Sequence, residues 1–197
     1  MRKLIMLFAM LILGTSAFGA TIDEILVSFG ELKTYRADFR QVTEIESFGK
    51  DEYAGRIYII NKYRALWDYN YPYKQFYLFT ADGVDYYDSE TRQLVRQKNV
   101  AGNQNAITSL MLDSSNIRQN FYVTLSEDNT LTLVPMSDIG VRYINVETDG
   151  KVILKVISED PTGNKTEVNF SNIQLDLELD KNIFSPKIPE GTEIFEY

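Results

Sequence analysis

The 197-residue chain has neither His nor Cys, so any catalytic chemistry would have to rest on carboxylates. Ser-His-Asp hydrolysis, thiol nucleophiles, disulfide frameworks and most zinc chemistry are excluded. The acids gather in two places: Glu44, Glu46, Asp51 and Glu52 around one turn, and Asp85, Asp88 and Glu90 around another. Glycoside hydrolysis needs two carboxylates facing each other across a cleft, about 5–10 Å apart. Nothing in the spacing singles out such a pair, and acids at turns ordinarily solvate loops. Asp128-Asn129, Asp149-Gly150 and Asp160-Pro161-Thr162-Gly163 read as turns, without the ligand spacing of a calcium loop. There is no glycine-rich phosphate loop and no dinucleotide fingerprint. Arg92, Arg96 and Lys98 read as a solvated strand face, and a net charge of −8 argues against nucleic acid as a partner. No catalytic residue, metal or cofactor is expected. A binding or carrier protein, or a structural module, is favoured, with a carboxylate-based hydrolase third.

The N-terminus reads as an export signal. Met1-Arg2-Lys3 is basic, Leu4–Leu13 is uninterrupted and apolar, and small residues follow at Ala17 and Gly19. That run is far below the ~20 residues a membrane-spanning helix needs, so residues 1–19 are expected to be a cleavable signal peptide. Residues 20–197 would then form a single domain, exported to the periplasm and free of a lipid anchor because no Cys is available.

The remaining pattern is mostly period two. Thr21-Ile22-Asp23-Glu24 has the form of a capping box, and Ile22, Ile25, Leu26, Phe29 and Leu32 share one helical face. From Tyr35 the alternation changes to that of half-buried strands. It recurs at Tyr53–Ile60, Tyr63–Tyr69, Gln75–Thr80, Val84–Tyr87 and Arg92–Gln97, then at Phe121–Leu125, Thr130–Val134, Val141–Thr148, Lys151–Ser158, Lys165–Phe170 and Ile183–Ile188. The fold class is therefore mainly β, one large antiparallel sheet of about a dozen strands, curled toward a barrel or folded as a sandwich. One interruption, Val100–Asn116, can be capped by Asn103 or Asn105 and carries Ala106, Ile107, Leu110 and Met111 on one face. So apolar a helix must lie on something greasy. Two short helices, near 22–32 and 103–112, are a small cover for a wide sheet; a barrel above eight strands tends to leave a cavity, whereas a sandwich would fill its own core.

Several strings resemble, in order and spacing, the periplasmic outer-membrane lipoprotein carrier family, LolA. Thr34-Tyr35-Arg36-Ala37-Asp38-Phe39-Arg40-Gln41 is similar to that family's opening strand, and Trp67-Asp68-Tyr69-Asn70-Tyr71-Pro72 to its Trp-x-Tyr-x-x-Pro signature. Gly55-Arg56-Ile57-Tyr58-Ile59, the Asp82-Gly83 hairpin with Tyr87-Asp88, and the ending Phe184-Ser185-Pro186-Lys187-Ile188-Pro189-Glu190-Gly191 agree with it too. The resemblance implies an incomplete antiparallel β-barrel of about 11–12 strands covered by short lid helices, and a monomeric carrier with an apolar cavity. Its expected partners are triacylated lipoproteins, an inner-membrane ABC transporter as donor, and an outer-membrane receptor or the membrane itself as acceptor. Carried over, Phe39, Ala65, Trp67, Tyr69 and Leu78 would line the acyl-chain cavity, while Ile25, Phe29, Ile107, Leu110 and Met111 would belong to the lid. Relatives carry a Lys/Arg-Pro pair before the Trp strand that holds the lid shut. Here the stretch is Asn61-Lys62-Tyr63-Arg64, so Lys62, Arg64 or neither could latch it. The alternative reading is a periplasmic protein-binding or sensor module that uses the same sheet without carrying lipid.

Overall fold

The computed structural model describes residues 20–60, 63–98, 106–112 and 114–197. The expected signal peptide, the candidate caps Asn103 and Asn105, and Lys62 lie outside these residues. Helix α1 (Ile22–Glu31) starts where the capping box requires: Thr21 Oγ1 accepts from the Glu24 N–H, and the Glu24 carboxylate accepts from the Thr21 N–H at 2.7 Å. Its first turn carries Asp23 and Glu24, which the helix dipole favours.

Six strands follow: β1 (Thr34–Ile45), β2 (Gly49–Ile60), β3 (Arg64–Tyr71), β4 (Gln75–Thr80), β5 (Gly83–Asp88) and β6 (Gln93–Lys98). The helical interruption contains α2 (Ala106–Leu112), a 3-10 turn at Ser114–Asn116 and the one-turn α3 (Ile117–Asn120). Strands β7 (Phe121–Leu125), β8 (Thr130–Pro135), β9 (Tyr143–Thr148), β10 (Ile153–Glu159) and β11 (Lys165–Leu175) complete the main run, and β12 (Glu193–Glu196) closes the chain. All twelve belong to one sheet in the order β12-β6-β5-β4-β3-β2-β1-β11-β10-β9-β8-β7. Neighbours are antiparallel except β12, which lies parallel to β6. β12 and β7 are its two ends and do not pair, so the sheet is not closed. It does wrap, because α1 touches β7 while α2 touches β2 and β3, strands well separated in that order.

The ending departs from the expected strand over Ile183–Ile188. Residues Lys181–Phe184 form a 3-10 turn, capped by the Asp180 side chain accepting from the Asn182 N–H at 2.9 Å. Pro186 and Pro189 lack the backbone donors a ladder needs. Pairing resumes only at Glu193. The consequence is a second apolar layer: Phe184, with Leu179, Ile183 and Ile188, packs on Leu66, Phe76, Leu78, Tyr87 and Leu94. Both faces of β3 and β4 are therefore covered, the helices on one and the C-terminal segment on the other.

Strands β2 and β3 meet at an irregularity between Ala54 and Gly55. A Cβ at Gly55 would sit 2.2 Å from the Asp68 carbonyl oxygen, a distance no side chain can occupy, so this close approach demands glycine.

Candidate functional site

Registry decides which side chains share the helix-covered face. Phe39 is paired with Gly55 and Phe170, Ile57 with Trp67, Ile59 with Ala65, and Gly55 with Tyr69. Phe39, Ala65, Trp67 and Tyr69 accordingly sit together in the larger buried cluster, along with Tyr35, Ile57, Ile59, Phe79 and Phe170. The rings form an edge-to-face wall: Phe39 lies 5.1 Å from Trp67 and 4.8 Å from Tyr69, and Trp67 lies 6.0 Å from Phe170. Leu78 is the exception. Trp67 pairs with Tyr77 and Ala65 with Phe79, so the intervening Leu78 points the opposite way and packs beneath Phe184. It belongs to the C-terminal layer and is not a wall residue, because successive side chains in a strand face opposite sides.

The helices meet this wall with their own apolar faces. Ile25 and Phe29 of α1 and Ile107, Leu110 and Met111 of α2 are all buried in the same cluster. Between them a small apolar pocket remains, with an interior of about 20 Å³. Phe29, Leu32 and Met111 face it from the helical side, and Tyr35, Ile59 and Ile153 from the wall. That is room for about one water molecule and not for an acyl chain. Most of the interior is filled by the helices themselves.

Among the described residues, two buried polar contacts fasten the cover. The Trp67 indole N–H donates to Thr108 Oγ1 at 3.1 Å, and Thr108 is fully buried on α2. The Ser114 hydroxyl donates to the Leu26 carbonyl at 2.6 Å, tying the turn after α2 to α1. An exposed ion pair, Arg118 to Asp23 at 2.7 Å, joins α3 to α1. Arg64 is exposed and, among the described residues, meets no hydrogen-bonding or charged partner. Thr108 and Ser114 were not singled out by sequence, since a hydroxyl on an apolar helix gives no sign of its partner. Tyr35 could have been found: it shares the period-two face of Phe39.

Among the described residues, the wall and the helix faces packed on it carry no ionised side chain. Burial pushes the Tyr35 hydroxyl well above its ordinary pKa, and it donates to the Ile153 carbonyl at 3.3 Å. Burial, and then the neighbouring Tyr77 and Tyr53, raise Tyr69 likewise, and its hydroxyl donates to Gln41 Oε1 at 3.1 Å. Two of the acids considered for catalysis have structural tasks. Asp88 accepts from the Tyr86 hydroxyl at 3.0 Å and from the Glu90 N–H at 2.7 Å, and Asp85 pairs with Arg96 at 3.3 Å. Among the described residues no group of three or more acidic side chains could hold a metal ion, and no helix is long and apolar enough to cross a membrane.

The family model described as outer membrane lipoprotein carrier protein LolA matches residues 30–187, from the end of α1 to the C-terminal layer. The chain belongs to the LolA family. Among its LolA relatives, an outer-membrane lipoprotein carrier protein of Methylococcus capsulatus is 27% identical over 83% of this chain and 82% of its own length. One of Chromohalobacter salexigens is 24% identical over 82% of this chain and 80% of its own. Solved structures share the fold. A conserved protein of Thermus thermophilus superposes with a TM-score of 0.57 at 15% identity, covering 89% of this chain and 98% of that one. A Vibrio parahaemolyticus domain provisionally assigned to outer membrane lipoprotein sorting gives 0.52 at 14%, covering 82% and 93%.

Proposed function

We propose that this LolA-family protein is a non-enzymatic periplasmic carrier that holds the acyl chains of lipoproteins against the aromatic wall and moves them from the inner to the outer membrane. Its expected partners are triacylated lipoproteins, an ABC transporter that loads it, and a receptor or the outer membrane that unloads it. The observation that carries this reading is an apolar wall covered by two short helices which leave a greasy pocket along their seam. Family membership and the names of the relatives support it as well.

The mechanism follows from what already fills the interior. Each acyl methylene taken out of water contributes about 0.8 kcal/mol, so three chains carry tens of kcal/mol. A carrier that offered them an empty cavity would hold its cargo too tightly to release it. Here loading exchanges contacts. Ile25, Phe29, Ile107, Leu110 and Met111 leave the wall as acyl chains arrive, and the net affinity is the difference between two apolar interactions of similar kind. Phe39, Ala65, Trp67 and Tyr69 are the proposed wall for those chains. The Trp67–Thr108 and Ser114–Leu26 contacts would set how readily the cover moves.

The test is binding of a fluorescent palmitate analogue to Ala65→Glu and Leu110→Glu. Both should lose binding while keeping the wild-type far-ultraviolet circular dichroism. Wild-type binding by both variants would overturn this site and favour a module that engages protein partners on the sheet.

A further inference from the structure

We infer that the tip of the β1–β2 hairpin is a docking point for a protein partner that offers an apolar pocket with a cationic rim. The inference rests on the carrier reading, since the partner is sought among the proteins that load or unload the carrier.

Phe48 is 88% exposed, the highest value among the described large hydrophobic residues. It stands at the turn between Ile45 and Gly49, where its N–H donates to the Ile45 carbonyl at 3.0 Å and Ser47 adopts a φ of 70°. A phenyl ring in that position does nothing for the fold. The tip is nevertheless braced. The Glu46 N–H donates to Asn164 Oδ1 at 3.1 Å, and Asn164 is itself held by Asp160 through bonds of 2.7 and 2.9 Å. On its other side the hairpin stands clear, because β3 begins to pair with β2 only at Ala54 and leaves Gly49–Tyr53 without a neighbour on that edge. Phe48 is therefore presented on a rigid arm, so little ordering is needed when it is captured. Single aromatic anchors of this kind are what protein pockets select.

The charge around the ring tells which surface it fits. Glu44 pairs with Lys50 at 3.2 Å and Glu52 with Arg40 at 2.8 Å. Glu46 and Asp51 have no cation within ion-pair distance among the described residues, so the tip keeps surplus negative charge. That surplus repels an anionic bilayer, and one ring falls well short of the apolar area that anchors a protein to lipid. It attracts a pocket edged by Lys or Arg.

The experiment compares wild type, Phe48→Ser, Phe48→Leu and the double variant Glu46→Lys/Asp51→Lys in three assays: binding of the palmitate analogue, lipoprotein handover from inner-membrane vesicles and to outer-membrane vesicles, and co-sedimentation with protein-free phosphatidylethanolamine–phosphatidylglycerol liposomes. Phe48→Ser and the double variant are expected to bind the analogue like wild type, yet to slow at least one handover tenfold or more. Phe48→Leu should recover most of the rate, and added salt should slow wild type. Wild-type handover in both directions by Phe48→Ser, with analogue binding intact, overturns the docking point alone. Liposome binding that depends on Phe48 overturns it in favour of a lipid contact. Failure of wild type to bind the analogue removes the carrier reading, and the docking proposal with it.

Discussion

Replacing Thr108 by Val tests whether the cover competes with cargo. The two side chains are nearly the same size, so the buried position on α2 stays filled, but the Trp67 indole N–H loses its acceptor at 3.1 Å. A buried donor left unsatisfied costs about 1–3 kcal/mol. The penalty falls on the closed form only. With the cover displaced, residue 108 no longer faces the indole, and wild type and variant present the same wall. If the closed form dominates in the empty protein, apparent affinity for the palmitate analogue should therefore tighten by roughly 5- to 150-fold. Trp67 is the single Trp of the chain, so its emission reports the same step directly and should shift to the blue on loading, as hydrocarbon replaces the Thr108 hydroxyl beside the indole. An unchanged or weaker affinity in Thr108→Val, with a lowered melting temperature, would refute the competition, because the lost bond would then act on folding and not on access.

Two further outcomes follow. Leu78→Ala, on the face under Phe184, should cost about 2–5 kcal/mol in urea unfolding yet leave analogue affinity within twofold, since the two layers lie on opposite sides of the sheet. Alkaline titration should destabilise the protein from about pH 10 upward: Tyr35, Tyr69 and Tyr86 have pKa values raised mainly by burial, so the unfolded chain loses those protons first and stability drains away as pH climbs toward the folded values. A flat melting temperature between pH 9 and pH 11 would contradict this.

Much of the architecture was legible because burial follows period two wherever one face is covered. Tyr35, Ala37 and Phe39 are buried in alternation along β1, and Tyr143–Thr148 shows the same rhythm. The capping box located α1 for an equally local reason. Leu78 was misassigned where that logic fails. Strand β4 is buried on both faces, so its sequence Gln-Phe-Tyr-Leu-Phe-Thr has no alternation to read, and only the Trp67–Tyr77 register reveals which way Leu78 points. The C-terminal error has a similar source. Glu193–Glu196 is exposed throughout and owes its strand form to distant pairing with β6, whereas Ile183–Ile188 mimics a strand while serving as a cover. The polar fastenings of the helices join residues 41 and 88 positions apart, which no local pattern encodes.

The central claim is that helix and cargo exchange places on one wall. Because the chain has no Cys, spin labels can be placed at Val27, on the exposed side of α1, and Leu154, on the outside of β10, without background. Their distance distribution should be single and narrow in the empty protein, and longer and broader once the palmitate analogue saturates it. A distribution that stays unchanged at saturation would contradict the exchange.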